Sequence, residues 1–283
     1  MTPSIPAPSW SHYPAPAKLN LFLHILGRRP DGYHELQTLF QLIDLCDELQ
    51  FEVTGDGVIT RHTPDLPLAA VPAEQDLVVR AARLLQQHAG VQLGARITVR
   101  KRIPMGGGLG GGSSDAACVL RVLNRLWATG LDEDALAALG LTLGADVPFF
   151  VRGRNAFGEG RGERLTPLET PAGWFTVVHP GISISTAAVF ADPELTRDTP
   201  ALTMQPLDGP GLRNDCEPVV RRRYPEVGTA IDLLSRFAPA RLSGTGACVF
   251  ARFADRPAAA QAARAMPPVW TAWVAEGLQR ISD

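Results

Sequence analysis

Six glycines stand within one seven-residue window, residues 106–112, and the hydroxyl side chains of Ser113 and Ser114 follow them directly. A glycine-rich backbone can approach an anion closely because glycine has no Cβ, and a helix that begins there offers unpaired N–H groups. Either serine hydroxyl could bind a phosphate or a metal ion. Since a flexible linker rarely lies so tightly between a predicted strand and a predicted helix, the cluster predicts a phosphate-binding loop.

Two common nucleotide-binding patterns fail to describe this loop. No lysine follows the glycines, as the Walker pattern GxxxxGK[ST] requires. The dinucleotide pattern GxGxxG is present formally at Gly106, Gly108 and Gly111. That pattern needs an acidic residue at the end of a second strand, and here the sequence predicts helix after helix. A dinucleotide-binding oxidoreductase therefore stays only as a distant alternative.

The hydrophobic patterns on either side of the loop predict the elements that position it. Alternation over residues 95–103 predicts a strand that leads into Pro104. Apolar residues spaced for one helix face predict a helix directly after the glycines. We expect Ser113 or Ser114 to cap the start of that helix and Gly130 to end it.

A strand near the N-terminus carries further polar side chains. Alternation over residues 18–25 predicts a half-buried strand with Lys18 and Asn20 on its polar face, and a turn follows at residues 29–32. The proline-rich residues 1–16 are expected to be irregular. The remaining pattern is typical of an α+β protein and predicts helices at 76–89, 132–139, 216–224, 227–237 and 255–265, strands at 39–45, 49–53, 174–179, 247–253 and 269–274, and a linker or hairpin at 152–162.

Composition excludes several classes of protein. The 283 residues carry 27 Lys and Arg against 29 Asp and Glu, which is not the basic balance of a general nucleic-acid binder. The chain has no apolar run long enough to span a membrane, and its first residues do not match a signal peptide. Its four cysteines form no CxxC pair, so neither a disulfide framework nor a zinc site is expected. These features predict a cytoplasmic protein with no membrane partner.

Three segments, in order along the chain, resemble the motifs of the GHMP kinases, a family named for galactokinase, homoserine kinase, mevalonate kinase and phosphomevalonate kinase. They are PAKLNL at 16–21, PMGGGLGGGSSDAA at 104–117 and LSGTGAC at 242–248. The resemblance implies an α+β fold of two domains. Residues 1–160 would form a ribosomal-protein-S5-like α/β domain that binds ATP and carries out catalysis. Residues 161–283 would form a ferredoxin-like α+β domain that binds substrate.

Further segments narrow the resemblance within the family. RPDGYH at 29–34 and LTLGADVP at 141–148 are similar to those of members that act in the non-mevalonate isoprenoid pathway. The resemblance implies that ATP phosphorylates the 2-hydroxyl of a small-molecule substrate, CDP-methylerythritol. The alternatives are another small-molecule kinase of the family and a nucleotide-binding protein without catalysis. A monomer and a homodimer both remain open.

The resemblance also implies roles for individual residues. Lys18 and Asp146 would be catalytic: Asp146 takes the substrate hydroxyl proton, and the lysine keeps that carboxylate ionised and offsets charge on the transferring phosphoryl group. The cytosine would be held by stacking and hydrogen bonds. The implied substrate-binding residues are Asn20, Tyr33, His34 and Phe190, and the implied ATP-binding residues are Asp76, Pro104, Met105, Gly106, Gly107, Gly108, Leu109, Gly110, Gly111, Gly112, Ser113 and Ser114.

Two features of the nucleotide site stay open. The family often has Asn where this chain has Asp76, and an ionised Asp accepts hydrogen bonds but cannot donate them. Asp76 is therefore expected either to read the adenine amino group or only to cap its helix. The reaction implies Mg²⁺ to neutralise the phosphates of ATP, and the sequence does not identify its protein ligands.

Overall fold

The computed structural model describes residues 12–64, 72, 74–202 and 212–281, which form two compact units. The first unit contains the described residues of Met1–Pro16, Cys46–Ile103 and Gly110–Gly153. The second contains the described residues of Ala17–Leu45, Pro104–Leu109 and Arg154–Asp283. The division into domains at residues 1–160 and 161–283 stays a prediction. None of the helices in the described residues has the length and apolar character that crossing a membrane requires.

Two long strands contribute residues to both units. Strand β1 spans Tyr13–Arg28, so residues 13–16 are extended rather than irregular; residues 1–11 lie outside the described part. Strand β2 spans His34–Thr54 as one element, where the sequence predicted two strands. The two predicted strands were separated at residues 46–48 because the polar Asp47 interrupts the apolar pattern. In the structure Asp47 is fully buried within the strand.

Strand β1 is buried on both faces, which corrects the prediction of a half-buried strand. Phe22, on the face predicted to be polar, packs with Leu39 and Phe157. Leu23 and Ile25, on the other face, belong to the larger core of the second unit. Lys18 and Asn20 therefore lie in an apolar interior, where burial of a polar group is costly unless it is hydrogen-bonded.

The described residues of the first unit contain paired strand segments and four helices. Strand β3 (Ile59–His62) runs parallel to β4 (Gly94–Arg100), and β4 pairs antiparallel with Glu48–Thr54 of β2. The helices are α1 (Leu77–Ala89), α2 (Gly111–Leu126), α3 (Glu133–Leu141) and α4 (Val147–Arg152).

Two of these helices show how local sequence sets helix ends. Helix α1 begins as predicted, because the Asp76 carboxylate accepts hydrogen bonds from two first-turn amides, and it ends at Gly90 in the left-handed conformation. Helix α2 begins earlier than predicted. Its N-cap is Gly110 at φ 73°, with no side-chain capping bond, so neither predicted serine caps it. The helix also ends at Leu126, before the predicted Gly130.

The second unit is built on antiparallel pairings. β5 pairs with β2 and with β6, β10 pairs with β2 and with β7, and β9 pairs with β7 and with β8. The strands are β5 (Ala156–Gly160), β6 (Arg164–Pro167), β7 (Trp174–His179), β8 (Ala240–Leu242), β9 (Val249–Phe253) and β10 (Thr271–Leu278), and the helices are α5 (Thr186–Phe190), α6 (Glu217–Arg223), α7 (Pro225–Leu234) and α8 (Arg256–Arg264). Of the two alternatives predicted for residues 152–162, a linker or a hairpin, the structure has the first strand of a hairpin, whose second strand lies beyond that range. The sequence did not predict β3, β6, β8, α4 or α5.

Candidate active site

The first half of the glycine loop, residues 104–109, is bound to the third motif, residues 242–248, by backbone hydrogen bonds. The N–H of Ala247 donates to the Gly106 carbonyl at 3.2 Å, and that of Cys248 donates to the Gly107 carbonyl at 3.0 Å. The Ser243 hydroxyl donates to the Gly108 carbonyl at 3.1 Å. Two segments more than 130 residues apart therefore form one structure, which fixes this half of the loop.

The first motif meets the same carbonyl. The Lys18 ammonium donates to the Gly108 carbonyl at 3.0 Å and to Oδ1 of Asn20 at 2.5 Å. The Asn20 amide nitrogen donates to the Thr38 hydroxyl at 2.9 Å. Lys18 is only 4% exposed, so its ammonium group is shielded from water. The oxygen acceptors replace that water and hold the charge in one position. The three motifs thus converge on Gly108.

Two residues that support this convergence were not singled out from the sequence. Ser243 lies within the third motif, but no local pattern assigned it a role beyond its position there. The side-chain amide of Asn214 donates to the carbonyls of Leu242 and Gly244 at 2.9 and 2.7 Å, and so holds the glycine turn of the third motif. Asn214 precedes α6 by three residues, and no local pattern pointed to it.

The second half of the loop begins helix α2 in the first unit. The Ser114 hydroxyl is buried and donates to the Pro16 carbonyl at 2.7 Å, whereas Ser113 is half-buried. Leu109, at the end of the first half, is buried, and Met105 is 56% exposed. The hydroxyl proton of Ser114 is thus engaged with the backbone, and its oxygen keeps a lone pair.

A buried ionic cluster joins the strand before the loop to the helix after it. The Lys101 ammonium donates to the Asp47 carboxylate and, at 2.6 Å, to that of Asp115 on α2. Asp47 also accepts from the backbone N–H groups of Arg102 and Ile103 at 2.5 and 2.9 Å. The last residues before Pro104 and the first turns of α2 are therefore held by one lysine and two carboxylates. No local sequence pattern pointed to this cluster.

The cluster predicts a pH-dependent stability that the Asp115→Asn variant should lose. Burial raises the pKa of Asp115 to about 7, opposed by Lys101 and reinforced by Asp47. Between about pH 4 and 7 the folded chain therefore binds more protons at Asp115 than the unfolded chain does, so this contribution to stability is present at acid pH and is lost as the pH rises through 7.

We expect the free energy of unfolding of the parent chain, minus that of Asp115→Asn, to fall by about 1–3 kcal/mol between pH 5 and 8. Urea unfolding at several pH values measures this difference. Asp134→Asn is the control, since that carboxylate is 81% exposed. A difference that does not vary with pH would contradict the raised pKa.

Asp146 and Asp76 both lie at the start of a helix, but only the Asp76 side chain caps its helix. Asp146 occupies the N-cap position of α4, is half-buried, and makes no side-chain capping bond. Asp76 caps α1 through Oδ1, while its Oδ2 pairs with Arg61 at 2.7 Å. Helix capping, one of the two alternatives predicted for Asp76, is thus present.

The residues predicted to bind the cytosine include one stacked pair. The rings of His34 and Phe190 lie 5.0 Å apart between centroids, with 26° between their planes. Tyr33 is 55% exposed, and the Arg161 guanidinium lies 4.8 Å from its ring centroid. The structure therefore brings His34 together with Phe190, while Tyr33 offers an accessible aromatic face.

The described residues form no group of three or more His, Cys, Asp or Glu side chains able to hold a metal ion. Asp115, next to the loop serines, is engaged by Lys101, and the proton of Ser114 is engaged by Pro16.

Comparison with known proteins agrees with the convergence of the three motifs. The family model described as the GHMP kinases N terminal domain matches residues 76–154, and the GHMP kinases C terminal model matches residues 204–271. The chain belongs to the GHMP kinase family. Both parts of the predicted two-domain α+β fold are thereby confirmed, and the dinucleotide-binding alternative is wrong.

The similarity to known proteins covers almost the whole chain. A protein of Alkalilimnicola ehrlichii named 4-diphosphocytidyl-2-C-methyl-D-erythritol kinase is 60% identical over 271 residues, covering 95% of this chain and 92% of that one. A protein of the same name from Ectopseudomonas mendocina is 57% identical over 274 residues, covering 97% and 93%. The present chain is therefore a kinase, that is, a phosphotransferase with a hydroxyl group as acceptor, and it belongs to a family that uses ATP with a divalent cation.

Solved structures agree at the level of the fold. A crystal structure of 4-(cytidine 5'-diphospho)-2C-methyl-D-erythritol kinase has a TM-score of 0.82 and 37% identity, covering 94% of this chain and 99% of that one. A homoserine kinase from Cytophaga hutchinsonii has a TM-score of 0.67 at 16% identity, covering 98% and 96%. The second match concerns the fold alone.

Proposed function

We propose that this kinase transfers the γ-phosphoryl group of ATP to the 2-hydroxyl of 4-diphosphocytidyl-2-C-methyl-D-erythritol, in the non-mevalonate isoprenoid pathway. The observation that carries the reaction class is the convergence of Lys18 and the glycine loop on one carbonyl, that of Gly108. The choice of substrate is supported by the names of the relatives at 60% and 57% identity and by the stacked His34–Phe190 pair.

Lys18 and Asp146 are the proposed catalytic residues. Asp146 accepts the proton of the substrate hydroxyl, which makes the oxygen a better nucleophile as it approaches the γ-phosphorus. The Lys18 ammonium offsets negative charge that develops on the transferring group. The hydrogen bonds of Lys18 to Asn20 and Gly108 support this role, because they hold the charge in one position before substrate binds.

The glycine loop is the proposed cradle for the triphosphate. Its backbone N–H groups and the start of α2 provide donors for phosphate oxygens without requiring a positively charged protein. The proposed divalent cation is Mg²⁺, which supplies neutralisation of the β- and γ-phosphates when it arrives with ATP. Asp76 is proposed to face the adenine amino group as an acceptor while it caps α1.

The cytidylyl part of the substrate is proposed to bind at Tyr33, His34 and Phe190. Aromatic rings grip an exposed base by stacking, and side-chain nitrogens read its edge. Asn20 would contact the methylerythritol part. We propose that the partners are these small molecules alone, with no nucleic acid or membrane, that the enzyme is a monomer or homodimer, and that it is cytoplasmic.

A substrate panel at constant ATP and Mg²⁺ tests the proposal. We expect ADP release with 4-diphosphocytidyl-2-C-methyl-D-erythritol at a kcat/KM at least a hundredfold above that with mevalonate or homoserine, because neither has a base to stack. A coupled ADP assay measures the rates. Equal efficiency with mevalonate would overturn the choice of substrate, and ATP binding without turnover on any alcohol would overturn the proposal of catalysis.

A further inference from the structure

One guanidinium group contacts both members of the stacked aromatic pair. The Nε–H of Arg197 donates to Nε2 of His34 at 3.1 Å. Its terminal nitrogens donate to the backbone carbonyls of Phe190, Asp192 and Leu195 at 2.9, 2.8 and 3.0 Å. With these four bonds the planar guanidinium is fixed, and so is its direction toward the imidazole.

The bond between these two side chains determines which nitrogen of His34 carries the proton. A guanidinium has only donors and does not deprotonate in proteins, so Nε2 of His34 must accept. A neutral imidazole whose Nε2 accepts carries its proton on Nδ1. Burial lowers the pKa of His34, and the charges of Arg197 and Arg28 lower it further, which agrees with a neutral ring.

Nδ1 of His34 has no hydrogen-bond partner among the residues that the structure describes, and it is not a fully enclosed atom. Its N–H is therefore a donor available to a ligand. The edge of cytosine presents acceptors at O2 and N3, whereas uracil carries a proton on N3. A donor fixed at this position complements cytosine.

We propose that Arg197 is a positioning residue that holds His34 in the Nδ1–H form, and so gives the enzyme a fixed donor for the acceptor edge of the cytosine base. The inference rests on the proposed function, because it takes the base to bind at His34. It adds a residue that does not touch the substrate and acts through its neighbour, 163 positions away in the sequence.

The test combines kinetics with ¹⁵N NMR of the histidine rings in the full-length enzyme. In the parent enzyme without substrate we expect Nδ1 of His34 to be protonated and Nε2 to be unprotonated. In Arg197→Met we expect the proton to move mainly to Nε2, and the KM for the cytidylyl substrate to rise about tenfold. The KM for ATP and kcat should change less than twofold.

Two further variants separate this role from a purely structural one, in which Arg197 only holds the backbone in place. Arg252→Met is the matched control, since Arg252 also donates to a backbone carbonyl, that of Ala172 at 2.6 Å; it should leave both readouts unchanged. Arg197→Lys keeps a donor and should restore part of the affinity. It also serves if Arg197→Met does not fold, which circular dichroism would show.

The outcomes are distinguishable. A parent enzyme with the proton of His34 on Nε2 would overturn the inference, as would a raised KM in Arg197→Met with the proton still on Nδ1, which indicates bracing only. An unchanged KM in a folded Arg197→Met would do the same while the proposed function stands. A parent enzyme that does not phosphorylate the cytidylyl substrate would overturn the function, and the NMR readout would still test the Arg197–His34 bond.

Discussion

Replacing Asp146 by Asn should lower kcat for phosphoryl transfer by about three orders of magnitude while the KM for ATP changes less than twofold. The amide has the shape of the carboxylate but cannot take a proton from the substrate hydroxyl. Because Asp146 makes no capping bond to α4, the substitution costs that helix no cap. The expected loss is in the chemical step.

Steady-state kinetics with varied ATP and varied cytidylyl substrate separates these effects, and fluorescence titration with ATP reports nucleotide binding independently. Asp134→Asn is the matched control: it makes the same chemical change at an exposed carboxylate that pairs with Arg152 at the surface. It should keep kcat within about twofold, since exposed ion pairs contribute little. A kcat for Asp146→Asn within tenfold of the parent enzyme would contradict the role of base.

Elements set by neighbouring residues could be predicted from the sequence. Helix α1 follows its prediction because Asp76 caps one end and Gly90 terminates the other, both within the local sequence. Strand β7 has the predicted limits, 174–179. The three motifs also pointed correctly to the family, since each has a distinctive order of glycine and polar residues. Local patterns thus specify elements and chemistry.

Features that depend on distant partners could not be predicted in the same way. Asp47 looked like a break between two strands because nothing nearby shows that Lys101 and two backbone amides would hold it in the interior. The N-cap of α2 was assigned to a serine because serine is the usual cap, whereas Gly110 adopts a left-handed conformation that glycine alone adopts easily. The Arg197–His34 bond joins residues with no shared local pattern.

The second large effect is expected at Gly108, where the three motifs converge. Gly108 has φ +74°, and a Cβ placed on it would lie 2.2 Å from the Ser243 carbonyl oxygen and 3.1 Å from that of Gly246. Both obstacles are backbone atoms, so no side chain can rotate away. In Gly108→Ala the loop must shift. The carbonyl of residue 108 then loses its hydrogen bonds from the Lys18 ammonium and the Ser243 hydroxyl.

We expect Gly108→Ala to lower kcat/KM for ATP by at least a hundredfold, because the displaced loop misplaces both the triphosphate and the Lys18 ammonium. The free energy of unfolding should fall by about 2–4 kcal/mol, from overlap together with a backbone conformation that alanine avoids. ATP-dependent initial rates and urea unfolding measure the two effects.

The control for this variant is Gly27→Ala, in strand β1 of the same unit. A Cβ there would meet no atom within 4 Å, and the φ of Gly27 is not in the left-handed region. The same added methyl group should therefore leave kinetics and stability near those of the parent enzyme. If Gly108→Ala kept full activity and stability as well, the contact between the glycine loop and the third motif would not be what positions Lys18, and the proposed cradle would need another support.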